Sequence, residues 1–353
     1  MPESKSLSGP GPLPGPRDES PSDGWPLEAP QATSSQYINR RTFLGTAAAV
    51  SCVAATAGLA APAGGRFFAG HGLPIGLQLY TLGDAPYRDL DGTLQTLAKI
   101  GYRIVEPVGL MKRSAAELRA ALDRAGLSSP STHVPLEADP AGGPTLAGDV
   151  GKLAADMHRI GVKFVVVPSF PVPQRFGGQR KGEDWGQFMS RAGKGMTVDE
   201  WRRLAAQLNR KGAALQREGL KLAYHNHNAE FVRLGSQTGY DLLLANTDPD
   251  LVWFEMDVGW VAAAGVDPIP PLRTHRHRFR LMHVKDVKAS TVPNNAVKMD
   301  PADVGSGMLD WKTILPAAYE AGVRYYYIEQ EPPFAEPRMD AVRTGYRYLA
   351  QLV

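Results

Sequence analysis

Cysteine is almost missing from this chain: Cys52 is the only one in 353 residues, so no intrachain disulfide can form. An excess of one charge is missing too. The 39 Lys and Arg residues against 36 Asp and Glu leave a formal charge of +3, too little for the basic footprint of a nucleic-acid binder. No glycine-rich dinucleotide fingerprint follows the first β-rich run, where LYTLGDAPYRD stands, which argues against a doubly wound nucleotide-binding sheet. The one extended apolar run, after Arg41, is Ala-rich and interrupted by polar residues, and makes a poor membrane span. What remains is a chain with 43% apolar and 21% charged residues, enough for a sizeable core in one large α/β barrel or two ordinary domains.

Residues 1–38 are rich in Pro, Gly, Ser and acidic residues without hydrophobic periodicity and are expected to be disordered. Residues 39–63 resemble a twin-arginine export signal: Arg40 and Arg41 precede the small-residue apolar run, and Ala61-Pro62-Ala63 suits signal peptidase. Cys52 lies inside this segment, so the processed protein is expected to carry no thiol nucleophile and to keep no stable membrane span. The expected location is outside the cytoplasm, periplasmic or secreted. Because that route carries folded proteins, many already holding a cofactor, a metal loaded before export is a reasonable expectation.

From residue 74 onward, short β-rich runs alternate with amphipathic stretches that end in glycine. The runs are 74–81, 103–109, 128–136, 163–170, 220–227, 251–260, 278–287 and 325–331. Eight βα units predict a single-domain (β/α)8 TIM barrel over 74–353. Two connections are long and polar, 171–196 after the fourth run and 288–309 after the seventh. Both follow strand C-termini, where barrel enzymes keep their substrate loops, and are lid candidates.

Alternate residues of barrel strands point inward, and polar ones near the strand C-termini collect around one site. The fifth run ends in LKLAYHNH, placing His225 and His227 on one face. The sixth offers Glu255 and Asp257, the seventh His283 and Lys285, and the eighth Glu329 and Glu331. Gln78, Glu106 and His133 come from the first three. Left unpaired, such groups would carry a burial penalty of several kcal/mol each, which one divalent cation would relieve. Imidazole and carboxylate donors suit Mn, Zn, Co or Mg without choosing firmly among them. His225, Asp257, His283 and Glu329 are the expected ligands, with Glu255 and Glu331 in supporting roles. His275 and His277 precede the seventh run at the opposite end of the barrel and read as surface residues.

AYHNHNAEF, FEMDVGWVAAAGVDP, LMHVKD, VGSGMLDW and YYIEQE, in that order, resemble the strand-end motifs of the xylose-isomerase-like sugar phosphate isomerase/epimerase superfamily. The resemblance covers about residues 74–353. It implies a metal held by Glu, Asp, His and Glu from strands five to eight. Asp257, His283 and Glu329 match directly, and His225 stands where that family usually has a carboxylate, leaving the site one unit more positive. The implied reaction is sugar isomerisation or epimerisation through a metal-stabilised enediolate, with Glu329 or Glu106 transferring the proton and His227 and Lys285 assisting. Lys285 could instead pair with Asp286 or Glu255. Gln78, Tyr80, His133 and Trp260 are the expected substrate contacts, and Trp253 a further stacking candidate. Export favours a free sugar, keto-sugar or glycoside over a phosphorylated sugar, and a 3-keto-glycoside lyase or hydratase is the alternative that shares the intermediate. An endonuclease-IV-like phosphodiesterase and a non-catalytic sugar-binding barrel complete the readings. Homologous barrels are often oligomeric, but no sequence patch compels a homo-oligomer.

Overall fold

Runs of Val, Ile, Phe and Tyr buried on both faces suit a parallel sheet covered by helices, and that is what they build. A computed structural model describes residues 65–137 and 142–353. The leader and export segment expected over 1–63 lie outside the described residues. The barrel strands are β1 (Ile75–Gln78), β2 (Ile104–Glu106), β3 (Ser131–His133), β4 (Phe164–Val167), β5 (Lys221–His225), β6 (Val252–Asp257), β7 (Phe279–Val284) and β8 (Tyr325–Ile328). They run parallel in the order β2-β1-β8-β7-β6-β5-β4-β3. The ring is closed more thinly between β2 and β3, by single bridges Ile104–Ser128 and Val108–His133.

Proline sets three strand ends. Pro107 ends β2, and Pro130 and Pro135 trim the third run to three paired residues, since proline cannot donate to the ladder. Helices flank the sheet, among them α1 (Leu90–Ile100), α2 (Ala115–Ala125), α3 (Val150–Ile160) and the long α4 (Val198–Arg217). Ser114 and Thr197 close capping boxes with Glu117 and Glu200 at the starts of α2 and α4. None of the described helices is long and apolar enough to cross a membrane.

The packed unit begins before residue 74. Phe67 and Phe68, in a single helical turn, are buried against Tyr326, and the Phe67 amide donates to the Leu352 carbonyl at 2.7 Å.

Inside the barrel the period of two sorts residues by height. The lower interior is apolar: Ile104, Phe164, Val166, Ala223, Leu281 and Tyr327 pack together, with Trp253 and Tyr325 against them. Gly76 fits here because a Cβ would come within 2.5 Å of the Tyr327 ring. One inward step higher, on every barrel strand but β4, stand Gln78, Glu106, His133, His225, Glu255, His283 and Glu329. The barrel therefore changes from an apolar plug to a polar chamber within one layer.

Candidate active site

The chamber opens into a cavity of about 1050 Å³ lined by His133, His225, His227, Trp260, Glu329 and Glu331 among others. The two long connections border its mouth. The first contributes Asp184, Trp185 and Gly186, at the start of a helix Trp185–Gly195, and the second Ser290–Val292 and Ala296–Asp300.

Two groups of buried donors could each hold a metal ion: His225, Asp257, His283 and Glu329 above, and His133, His225, Glu255 and His283 below, with the ligand atoms of each group within 4.8 Å of one another. They share two imidazoles, and each ring turns one nitrogen to each group. His225 Nδ1 lies 3.2 Å from Glu255 Oε2, while its Nε2 lies 3.9 Å from Asp257 Oδ2. His283 Nε2 lies 2.8 Å from Glu106 Oε2 and 3.1 Å from Glu255 Oε2, while its Nδ1 lies 2.6 Å from Glu329 Oε2. His133 Nε2 meets Glu255 at 3.0 Å and Glu106 at 3.2 Å. The lower carboxylates thus take the N–H of each ring, which leaves His225 Nε2 and His283 Nδ1 facing the upper group, the arrangement a metal-binding histidine needs.

Electrostatics sharpen this division. Burial and the nearby Glu106 push the Glu255 carboxyl up, but the charge of His283 and hydrogen bonds from His133 and His225 prevail and hold it at about 2. Burial drives the His225 imidazole well below its ordinary value, so it is a neutral donor. Burial also opposes charge on His283, yet Glu255 and Glu329 lift it well above the usual range. Asp257 Oδ2 is buried without a hydrogen bond and lies 2.9 Å from Lys285 Nζ, an ion pair lacking hydrogen-bonding geometry. Neutral His225, two carboxylates and an imidazole whose Nδ1 proton a cation can displace fit one divalent ion in the upper group.

Several sequence expectations need correction. Lys285 pairs with neither Asp286 nor Glu255. It sits among Asp257 at 2.9 Å, Glu329 at 3.0 Å and Glu331 at 3.2 Å. Asp286 instead collects the backbone N–H groups of Val287, Gly305, Gly307 and Leu309 and the Trp311 indole N–H. Trp253, expected as a further stacking candidate, packs against Phe164 in the lower interior, one turn of the pleat below Glu255, and does not line the cavity. Glu106, expected as a proton-transfer carboxylate, and Gln78, expected as a substrate contact, are fully buried, joined by a Gln78 Nε2–Glu106 Oε2 hydrogen bond of 3.3 Å, and neither lines the cavity. Tyr80, His133 and Trp260 do line the cavity, as do His227 and Glu331.

Glu255, expected only in a supporting role, is the hub of three imidazoles, and one cavity residue, Trp185, was given no role from sequence. Trp185 reaches the cavity from the first long connection and meets His227 edge-on, with ring centroids 5.2 Å apart. Its only sequence signal is a tryptophan directly after an N-cap aspartate in a polar insertion. His227, whose Nδ1 has no partner, is pushed down to about 3 by burial and by Lys285. It continues to Trp260 at 5.3 Å, over which Lys285 Nζ sits at 4.9 Å.

Comparison with known proteins agrees with this architecture. Inosose dehydratase of Lacticaseibacillus casei is 32% identical over 154 residues, 40% of this chain and 51% of that protein, so the chain spans about half the length of that relative. Inosose dehydratase of Geobacillus kaustophilus is 25% identical over 288 residues, 74% of this chain and 87% of that protein. A sugar phosphate isomerase/epimerase from Parabacteroides distasonis superposes with a TM-score of 0.63 at 26% identity, covering 79% of this chain and 94% of the other. The family model for xylose isomerase-like TIM barrels matches residues 94–352. With that match over most of its length and eight parallel strands closed around a polar chamber, the chain belongs to the xylose isomerase-like TIM-barrel family.

Proposed function

We propose that this chain is a divalent-metal-dependent lyase of the dehydratase type, acting on a keto-sugar or keto-polyol. The observation that carries this reading is the Lys285 ammonium clamped among Asp257, Glu329 and Glu331 beside the upper donor group, with Glu331 on the cavity wall. The relatives named inosose dehydratase support it. A divalent cation held by His225, Asp257, His283 and Glu329 would polarise a substrate carbonyl and acidify the neighbouring C–H bond.

The proton-transfer role falls to Glu331, because Glu106 does not line the cavity and Glu329 is engaged by His283 and Lys285. Burial lifts the Glu331 carboxyl, Lys285 opposes and Glu329 adds to the rise, which brings it toward the range where a carboxylate both takes and returns a proton. Glu331 removes the proton from the carbon beside the ketone. The C–H electron pair becomes the C=C bond as the β C–O bond breaks, and Glu331 returns its proton to the departing oxygen, which leaves as water. Lys285 holds Glu331 in place and stabilises its anion. His227, neutral at the opposite aromatic wall, offers its ring to a substrate hydroxyl. Residues 39–63 add export by the twin-arginine route to the proposal, and with it an unphosphorylated substrate.

Isomerisation or epimerisation is the second reading, favoured by the Parabacteroides distasonis neighbour. It shares proton removal and differs only in reprotonation at carbon. Incubation with inosose in D2O separates the two: a product lighter by one water supports elimination, and a product of unchanged formula carrying solvent deuterium supports the second reading. Elemental analysis of the purified protein is expected to find about one divalent ion per chain, lost from Asp257→Ala and His283→Ala. No bound ion after addition of Mn, Co or Zn would overturn both.

A further inference from the structure

The described residues include six exposed large hydrophobic side chains, and four of them, Tyr80, Val108, Trp185 and Val292, line the one cavity above the donor groups. Trp185 is 47% exposed and Val292 75%. Apolar surface scattered singly needs no explanation, but a collection at one concave mouth marks a binding surface. The cavity is also too large for a single sugar ring, at about 1050 Å³, the top of the roughly 300–1,000 Å³ range of pockets that take drug-sized ligands.

From this we infer that the cavity has an outer subsite, walled by Trp185, Val108 and Val292, for a second ring carried by the substrate, so that the substrate is a glycoside; Tyr80, whose hydroxyl meets the Glu331 carboxylate, belongs to the inner chamber. The inference rests on the proposed reading, in which the reacting ring occupies the polar chamber.

The inner and outer parts are joined by aromatic faces. His227 packs between Trp260, at the chamber, and Trp185, at the mouth, with centroid separations of 5.3 and 5.2 Å. A ring leaving the chamber therefore passes from one flat apolar face to another, the surface that a sugar's C–H face or an aromatic aglycone prefers. The outer wall is built. Asp184 and Gln187 close a capping box at the start of the Trp185–Gly195 helix, and Gly186 packs against Val297, whose carbonyl oxygen would lie 3.3 Å from a Cβ there. Asn228 ties the second connection down through Asn294 and Val297. Val297 itself holds a left-handed backbone at φ +51°, unusual for a β-branched residue.

Calorimetric titration of the full metal-loaded chain with phenyl β-D-glucopyranoside and with glucose tests this. The glycoside should bind about three- to tenfold more tightly than glucose, the span expected of one aromatic-face contact. That preference should collapse in Trp185→Ala and largely return in Trp185→Phe. Equal affinity for the two ligands, or a preference that survives in Trp185→Ala, would overturn the subsite. Metal content measured on the same samples keeps the two ideas apart: a full complement of ion with no glycoside preference defeats the subsite alone, whereas protein that holds no ion defeats the lyase reading.

Discussion

At the level of single residues, the chamber is governed by the two histidines that face both ways. Because Glu255 accepts from His225 Nδ1 and stands 3.1 Å from His283 Nε2, replacing it with glutamine should loosen both rings while leaving all four upper donor residues in the sequence. Metal affinity in Glu255→Gln is expected to fall about 10- to 100-fold, read by competition of a Co²⁺ or Zn²⁺ chelator against the protein. Lys285 offers a second test. Its charge lowers the Glu331 carboxyl against the upward push of burial and Glu329, so Lys285→Met should raise that pKa. The acidic limb of the rate profile then moves to higher pH, since ionised Glu331 is the proton acceptor. A limb that stays put or moves down would remove Glu331 from the proton-transfer step.

At the level of elements, the strands were legible because each β-rich run carries its inward residues at a period of two. His225, Asp257, His283 and Glu329 could be picked out as neighbours before any coordinates, and they lie within 4.8 Å. Depth was not legible. Glu106 reads in sequence as an acid like Glu329, yet Glu329 lines the cavity while Glu106 and Glu255 are fully buried among the imidazoles and do not. The meeting of the two long connections was equally hidden, because it depends on Asn228, at the end of the His225-Asn226-His227 motif. Its side chain bonds Asn294 and Val297, and its carbonyl accepts from Asn295. Asn228→Ala should remove the three side-chain hydrogen bonds to these half-buried groups, at about 0.5–1.5 kcal/mol each, and speed amide exchange across residues 290–300 while the strands stay protected. Unchanged exchange there would show that the connection holds its shape without Asn228.

For the whole molecule, the sequence placed the start of the barrel at residue 74, because hydrophobic periodicity is unreadable in a single turn such as Phe67–Gly70. The turn nevertheless buries two phenylalanines. At about 1.5–3 kcal/mol for each buried side chain, a chain beginning at residue 74 should melt several degrees below one beginning at residue 65. Equal melting temperatures would show that the Phe67 and Phe68 contacts contribute nothing to stability.

The hydrogen bond from Phe67 to Leu352 also makes the order of the chain nearly arbitrary. The first and last packed residues sit side by side at the N-terminal end of the barrel strands, away from the cavity. A short linker between them could close the polypeptide into a circle, and new ends could be cut at the exposed turn of residues 248–250 on that same end. Such a circular permutant would keep every side chain of the chamber and both of its bordering connections uncut. In this barrel the site belongs to the closed ring of strands and owes nothing to the point where the chain happens to begin.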